Sequence, residues 1–123
     1  MILLDTNAAL FLLSNNARAR PLRAHAGRLA LSPISILEAA FLVECKRIAF
    51  PGAAADAVMR SDPRWSIDDP TLDSVIAQAM SLSWTRDPFD RLIAAHALAR
   101  GWRLATSDKN LIRHLPGSSV IAL

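Results

Sequence analysis

The chain has a single cysteine, and a lone thiol excludes an internal disulfide. With only His25, His96 and His114 scattered along the sequence, Cys45 also lacks the companions of a structural zinc site, so a small buried apolar residue is its expected role. No apolar run approaches the roughly 18 to 20 residues needed to cross a bilayer, and no membrane partner is expected. No charged segment, apolar stretch or cleavage site precedes the first strand, which makes a cytoplasmic location the expectation. Repeats, low-complexity runs and linkers are missing as well. A length of 123 residues supports one core and not two, so a single domain over residues 1–123 is expected.

Charge of one sign is also in short supply. Lys and Arg together number 14 against 11 acids, a formal excess of +3 that hints only mildly at an anionic partner. Arginine far outweighs lysine, and guanidinium suits bidentate phosphate contacts, although a solvated surface accounts for any single arginine equally well.

What is present is alternation. Met1–Leu4 is an unbroken apolar run closed by Asp5, Thr6 and Asn7, the pattern of a strand buried on both faces, because half-exposed strands alternate polar and apolar residues. Further strands are expected at "RLALS", "RWSI", "WRLAT" and "SSVIAL". Between them lie helical segments: "AALFLL", an Arg-rich stretch from Arg18 to Arg28 in which Pro21 opens a short helix, and "SPISILEAAFLVECKR" with Ser32 as cap and Pro33 in the first turn. "PGAAADAVMR", "PTLDSVIAQAMSL", "DPFDRLIAAHALARG" closed by Gly101, and "SDKNLIRHL" complete the set. Strands alternating with helices predict an α/β fold, a mostly parallel sheet covered on both sides.

The informative residues are acids in costly places. In the helix opened by Pro33, the spacing of Ile34, Leu37, Phe41, Leu42 and Cys45 predicts one core-facing stripe, and Glu38 falls inside it. A buried carboxylate is expensive unless it is paired, protonated or holding a cation. A capping box of Ser35 and Glu38 is the ordinary alternative, but the Ser32-Pro33 start lies one turn earlier. Asp90 shares a face with Ile93, Ala94, Ala97 and Leu98, and a first-turn acid favoured by the helix dipole is its ordinary explanation. Asp87-Pro88 is what an N-cap and first-turn proline look like, and capping accounts for Asp87 without chemistry. Asp108 follows one strand as Asp5 follows another, and a cap by Ser107 or Asp108 is again the simple reading.

Position joins them. The carboxyl ends of parallel strands share one edge, where open α/β folds bind ligands. Asp5 and Asp108 come from strand ends, and Glu38 and Asp90 from helices leaving that edge. Convergent carboxylates repel, and a divalent ion relieves the repulsion; oxygen-only ligands suit Mg2+ or Mn2+ better than zinc or copper. Such an ion activates water against a phosphodiester, which points to nucleic acid as the substrate.

"LLDTN", "SPISILEAA", "RDPFDRLIAAHA" and "LATSDKNL", taken in this order, resemble the acidic motifs of the PIN-domain family, specifically the VapC ribonuclease toxins of toxin–antitoxin pairs. The motifs span nearly the whole chain. The resemblance implies a three-layer α/β/α sandwich, metal-dependent endoribonuclease activity, a homodimer, and neutralisation by a small cognate antitoxin. By matching position it makes Asp5, Glu38, Asp90 and Asp108 the catalytic and metal-binding acids, with Thr6, Asn7, Thr106 and Ser107 either orienting acids and water or capping helices. One departure is Thr85, which stands where related sequences often carry a histidine and argues against a histidine-assisted mechanism.

Other side chains are weaker candidates. Arg86, Arg91, Lys109 and Arg113 flank two motifs and are candidates for gripping phosphate. His96 sits about 240° around its helix from Asp90, so a structural or exposed role is expected. Trp65, Trp84 and Trp102 border element ends, where packing is simpler than base stacking. Two rivals keep the fold: a catalytically inactive module that binds RNA or a partner, and a phosphoacceptor domain. The second is disfavoured, since "DTN" lacks the D-x-D of aspartate phosphatases and no acid pair ends the first strand.

Overall fold

In the computed structural model, which describes residues 1–123, five short strands form one sheet. They are β1 (Ile2–Leu4), β2 (Leu29–Leu31), β3 (Trp65–Ile67), β4 (Arg103–Thr106) and β5 (Val120–Ala122), ordered β3-β2-β1-β4-β5. Every pairing is parallel. Six helices surround them: α1 (Thr6–Leu13), α2 (Pro33–Glu44), α3 (Ala55–Ser61), α4 (Leu72–Ala79), α5 (Pro88–Arg100) and α6 (Lys109–His114). The Arg-rich stretch, expected as a short helix, forms a 3-10 helix over Ala17–His25 with Pro21 inside it. No helix is long and apolar enough to cross a membrane.

The apolar run at the start is divided between two cores. Ile2 and Leu4 face a cluster that includes Leu29, Leu31, Ala8, Ile36, Ala39 and Met59, so α1, α2 and α3 cover this side. Leu3 points the other way, with Ala30, Leu104, Val75, Ile93 and Leu111, under α4, α5 and α6. The three residues of β1 are 5%, 0% and 0% exposed, which is why the strand shows no polar alternation. Fully burying each such side chain contributes about 1.5–3 kcal/mol. Helix against sheet against helix is the expected three-layer architecture, and its sheet is parallel throughout.

The α2 helix turns differently from its expected orientation. Leu37 and Phe41 are 60% and 45% exposed, Cys45 is exposed, and the buried residues are Ser35, Ile36 and Ala39. The predicted stripe and the Cys45 assignment are therefore both corrected. Ile36, Ala39, Ala40 and Val43 follow the same three-and-four spacing as the predicted stripe. The helix is apolar nearly all round, so periodicity alone cannot say which face meets the sheet.

Local chemistry sets the helix ends. Ser32 Oγ accepts the N–H of Ile34 at 3.1 Å and fixes the start of α2 about one turn before Ser35, leaving Glu38 well inside the helix. Gly101, at φ 67°, takes the left-handed conformation that ends α5 and turns the chain into β4. Because β1 continues to β2 on one side while β4 lies on the other, the strand order switches direction between β1 and β4. In such sheets that switch leaves a crevice at the carboxyl edge.

Candidate active site

A cavity of about 360 Å³ opens at this crevice, lined by Asp5, Glu38, Asp87, Asp90 and Asp108 together with Thr6 and Asn7. All four predicted acids are brought together. Asp87, expected to act only as a cap, joins them: carboxylate oxygens of Glu38, Asp87 and Asp90 lie within 4.8 Å of one another.

Backbone geometry holds three of the five acids. Asp5 Oδ1 accepts the N–H of Ala8 at 2.6 Å and caps α1. Asp87 Oδ1 accepts from Phe89 at 2.9 Å and Asp90 at 3.2 Å, capping α5. Asp108 Oδ1 accepts from Leu111 at 2.9 Å, so Asp108 and not Ser107 caps α6. In each case one carboxylate oxygen serves the helix, and the other remains for the pocket. Glu38 and Asp90 enter from the helices themselves and are half-buried. Glu38 is thus buried by the pocket and not by the core stripe that first singled it out.

The electrostatics follow from this crowding. Burial pushes the Asp5 carboxyl up to about 6, against the Thr106 hydroxyl and the Ala8 N–H, with Glu38 and Asp108 adding repulsion. Asp90 is pushed up to about 7, first by burial and then by Asp87, Asp108, Glu38 and Asp5. Glu38 is raised by burial and by Asp87, and opposed by the nearby Thr6 hydroxyl. Protons are held where an added positive charge would displace them.

The donor set fits a hard divalent ion. The acidic side chains offer only carboxylate oxygens, and no histidine or cysteine lines the cavity. The buried Thr6 Oγ1 makes no hydrogen bond of good geometry, but it lies close enough to Glu38 to favour that carboxylate's charged form. Thr106 Oγ1 accepts the N–H of Asp108 at 3.0 Å and stands beside Asp5, bracing two of the acids.

Other sequence candidates fall elsewhere. Arg86, Arg91, Lys109 and Arg113 do not line the cavity, and Arg91 instead donates to the carbonyls of Ala79 at 2.8 Å and Met80 at 3.4 Å. The cavity's one cation is Arg47, which follows α2 and bore no motif to mark it. His96 is 2% exposed and bonds Asp68 at 2.7 Å, a structural role. Trp65 donates to the Met59 carbonyl, Trp84 stacks on His114 with ring centroids 4.7 Å apart, and Trp102 lies against His96.

Comparison with known proteins gives the chain a family and relatives. The family model for the PIN domain matches residues 2–116. Ribonuclease VapC22 of Mycobacterium tuberculosis (strain ATCC 25618 / H37Rv) is 38% identical over 92 residues, spanning 73% of this chain and 70% of that protein. Among solved structures, a toxin–antitoxin complex from Klebsiella pneumoniae superposes with a TM-score of 0.72 at 19% identity, covering 99% of this chain and 97% of that one. DNA-bound VapBC from Salmonella typhimurium gives 0.67 at 20% identity, covering 98% and 96%. At such identities these two structures speak for the fold.

Proposed function

Because the chain belongs to the PIN-domain family, we propose that it is a metal-dependent endoribonuclease, the toxin of a toxin–antitoxin pair, with Asp5, Glu38, Asp90 and Asp108 as its catalytic acids and Asp87 added as a fifth pocket carboxylate. The observation that carries the proposal is the meeting of Glu38, Asp87 and Asp90 oxygens within 4.8 Å, beside Asp5 and Asp108, at the switch point of the sheet. The relative named a ribonuclease, 38% identical, supports RNA as the polymer cleaved.

Asp5, Glu38, Asp90 and Asp108, with Asp87 added, would hold Mg2+ or Mn2+. Bound there, the ion would supply Lewis-acid activation of water and neutralise charge developing on the scissile phosphate. The chain's own residues do the rest. The helix caps keep Asp5, Asp87 and Asp108 from turning away, so the carboxylates are oriented before substrate arrives. One of the cavity carboxylates would accept the proton released by the attacking water. Arg47 at the rim is placed to meet the phosphate.

Partners follow the same reading. A protein antitoxin and a second copy of the chain are proposed, as the solved relatives are described as toxin–antitoxin complexes. Leu37 and Phe41 on α2 and Leu72, Ile76 and Met80 on α4 leave large apolar side chains in water, which supports covering by protein.

The rival is a PIN-like module that binds without cleaving, and one observation favours it: Asp5, Asp87 and Asp108 each already have a capping role. The deciding experiment incubates mixed RNAs with purified wild type and Asp5→Asn in manganese, magnesium or chelator. Cleavage by the wild type alone, abolished by chelator, is expected. Equal activity of the two proteins, or none with either metal, would overturn the enzyme reading.

A further inference from the structure

The acidic cavity occupies one edge of the sheet, and the opposite edge carries the opposite charge. No acid occurs between Asp5 and Glu38, while that stretch holds Arg18, Arg20, Arg23 and Arg28, all exposed. The arginines continue across the amino-terminal ends of the strands: Arg64 precedes β3, Arg28 precedes β2 and Arg103 opens β4. Ile2 of β1 lies between the last two, donating its N–H to the Arg28 carbonyl and pairing in register with Arg103. His25 joins them, its imidazole held below the usual value by burial and then by Arg103 and Arg28.

Only part of this charge is compensated. Arg64 pairs with Asp62 at 2.6 Å, but Arg18, Arg20, Arg23, Arg28 and Arg103 have no carboxylate within ion-pair distance. Five unpaired guanidinium groups along one edge make a field suited to an anionic chain. The two edges are close, because strands of three or four residues put them only about 10 Å apart.

A physical path connects them. α1 starts at the cavity and ends near the arginine segment, and the groove beside it shares Asn7, Leu10 and Ile48 with the cavity before reaching Asn16, the cap of the 3-10 helix. Toward that far end the Arg18 guanidinium lies 5.3 Å from the centre of the Phe11 ring. With the ring beneath it, the exposed guanidinium plane offers a stacking surface for a base and a counter-charge for its phosphate.

We infer that single-stranded RNA leaving the acidic cavity follows α1 and is anchored through its phosphates by Arg18, Arg20, Arg23, Arg28 and Arg103. This rests on the ribonuclease reading above and adds to it where binding affinity arises. Without an ion, five carboxylates and the single cation Arg47 around the scissile phosphate leave the cavity net negative, so nucleotides beyond it supply the attraction measured in chelator. An acidic protein segment fits less well, since its own charge would meet the acidic cavity with nothing gained there. A phosphodiester chain is brought to the cavity by the reaction itself.

The test uses the full chain with Arg18, Arg20 and Arg23 replaced together by Ala, and in a second variant by Lys. Circular dichroism checks that both fold. Binding of a long unstructured RNA is measured in chelator across a salt series, and KM in manganese for that RNA and for a dinucleotide. For the Ala variant the log–log salt slope should fall by about 2, given about 0.7 per single-strand phosphate contact. Its KM should rise at least about tenfold for the long RNA relative to the dinucleotide, and the Lys variant should keep most of the binding. An unchanged salt slope, an equal rise in both KM values, or polyglutamate binding as tightly as RNA would overturn the inference. Should the wild type cleave neither substrate, the ribonuclease reading fails while the salt slope still decides whether this edge binds RNA.

Discussion

The Asp5 N–H donates to the carbonyl of Ala105 at 3.0 Å, so the first acid is tied by its own backbone to the strand that delivers the last. Leu4 and Ala105 are register partners, and Thr106, next along β4, stands beside the Asp5 carboxyl. Residues a hundred positions apart thus reach the cavity through one hydrogen-bonded ladder.

Asp5→Asn tests whether that carboxyl is a functional acid or only a cap. Asn caps helices about as well as Asp, so the start of α1 should survive. Removing a buried carboxyl raised to about 6 relieves a cost of up to about 3 kcal/mol at neutral pH. In chelator at pH 7.5 the variant should melt at or above the wild-type temperature, while RNA cleavage falls at least about 100-fold. A clear drop in melting temperature with cleavage intact would make Asp5 purely structural.

The raised carboxyls also set the sign of a pH effect. Between roughly pH 4 and 7 the folded protein holds protons on Asp5 and Asp90 that the unfolded chain has released. The metal-free protein should therefore lose stability as pH rises through that window. Manganese must displace those protons, so it should bind more tightly at pH 8 than at pH 6. Denaturant melts in chelator and calorimetric titrations at the two pH values check both trends; a metal affinity independent of pH would contradict the second.

Asp87 carries two roles that two substitutions separate. Asp87→Asn should keep the α5 cap and the melting temperature while weakening metal binding about 10–100-fold. Asp87→Ala should show the same weakening and in addition lose about 1 kcal/mol of stability. Equal metal affinity in wild type and Asn variant would return Asp87 to capping alone.

Thr6→Val should move stability and activity in opposite directions. The Thr6 hydroxyl is buried with only a poorly aligned contact to Glu38, and valine replaces this ill-satisfied polar group at nearly the same volume. Its position beside Glu38 assigns it a part in orienting that carboxylate or its ion. A more stable variant with reduced cleavage is expected from thermal melts and initial rates; unchanged cleavage would leave Thr6 without a functional part.

Much of the fold is legible from residues alone, because unbroken apolar runs mark β1, β2 and β5 and Ser32, Pro33, Asp87, Pro88 and Gly101 mark helix ends by local sterics and hydrogen bonding. What failed was orientation. α2 is apolar on several faces, so Leu37 and Phe41 satisfied a helical period as well as Ile36, Ala39 and Val43 do. Choosing between those faces takes the tertiary position of β1 and β2. Asp87 was set aside for the opposite reason: its Asp-Pro start explains it fully, and only the approach of Glu38 from another helix reveals its second role. Arg47 gave no signal, lying in an irregular segment beyond α2.

Three of the five cavity acids begin helices through hydrogen bonds that involve no ion. The starts of α1, α5 and α6 are therefore held by the chain itself, and the carboxylate frame of the cavity is built by folding alone.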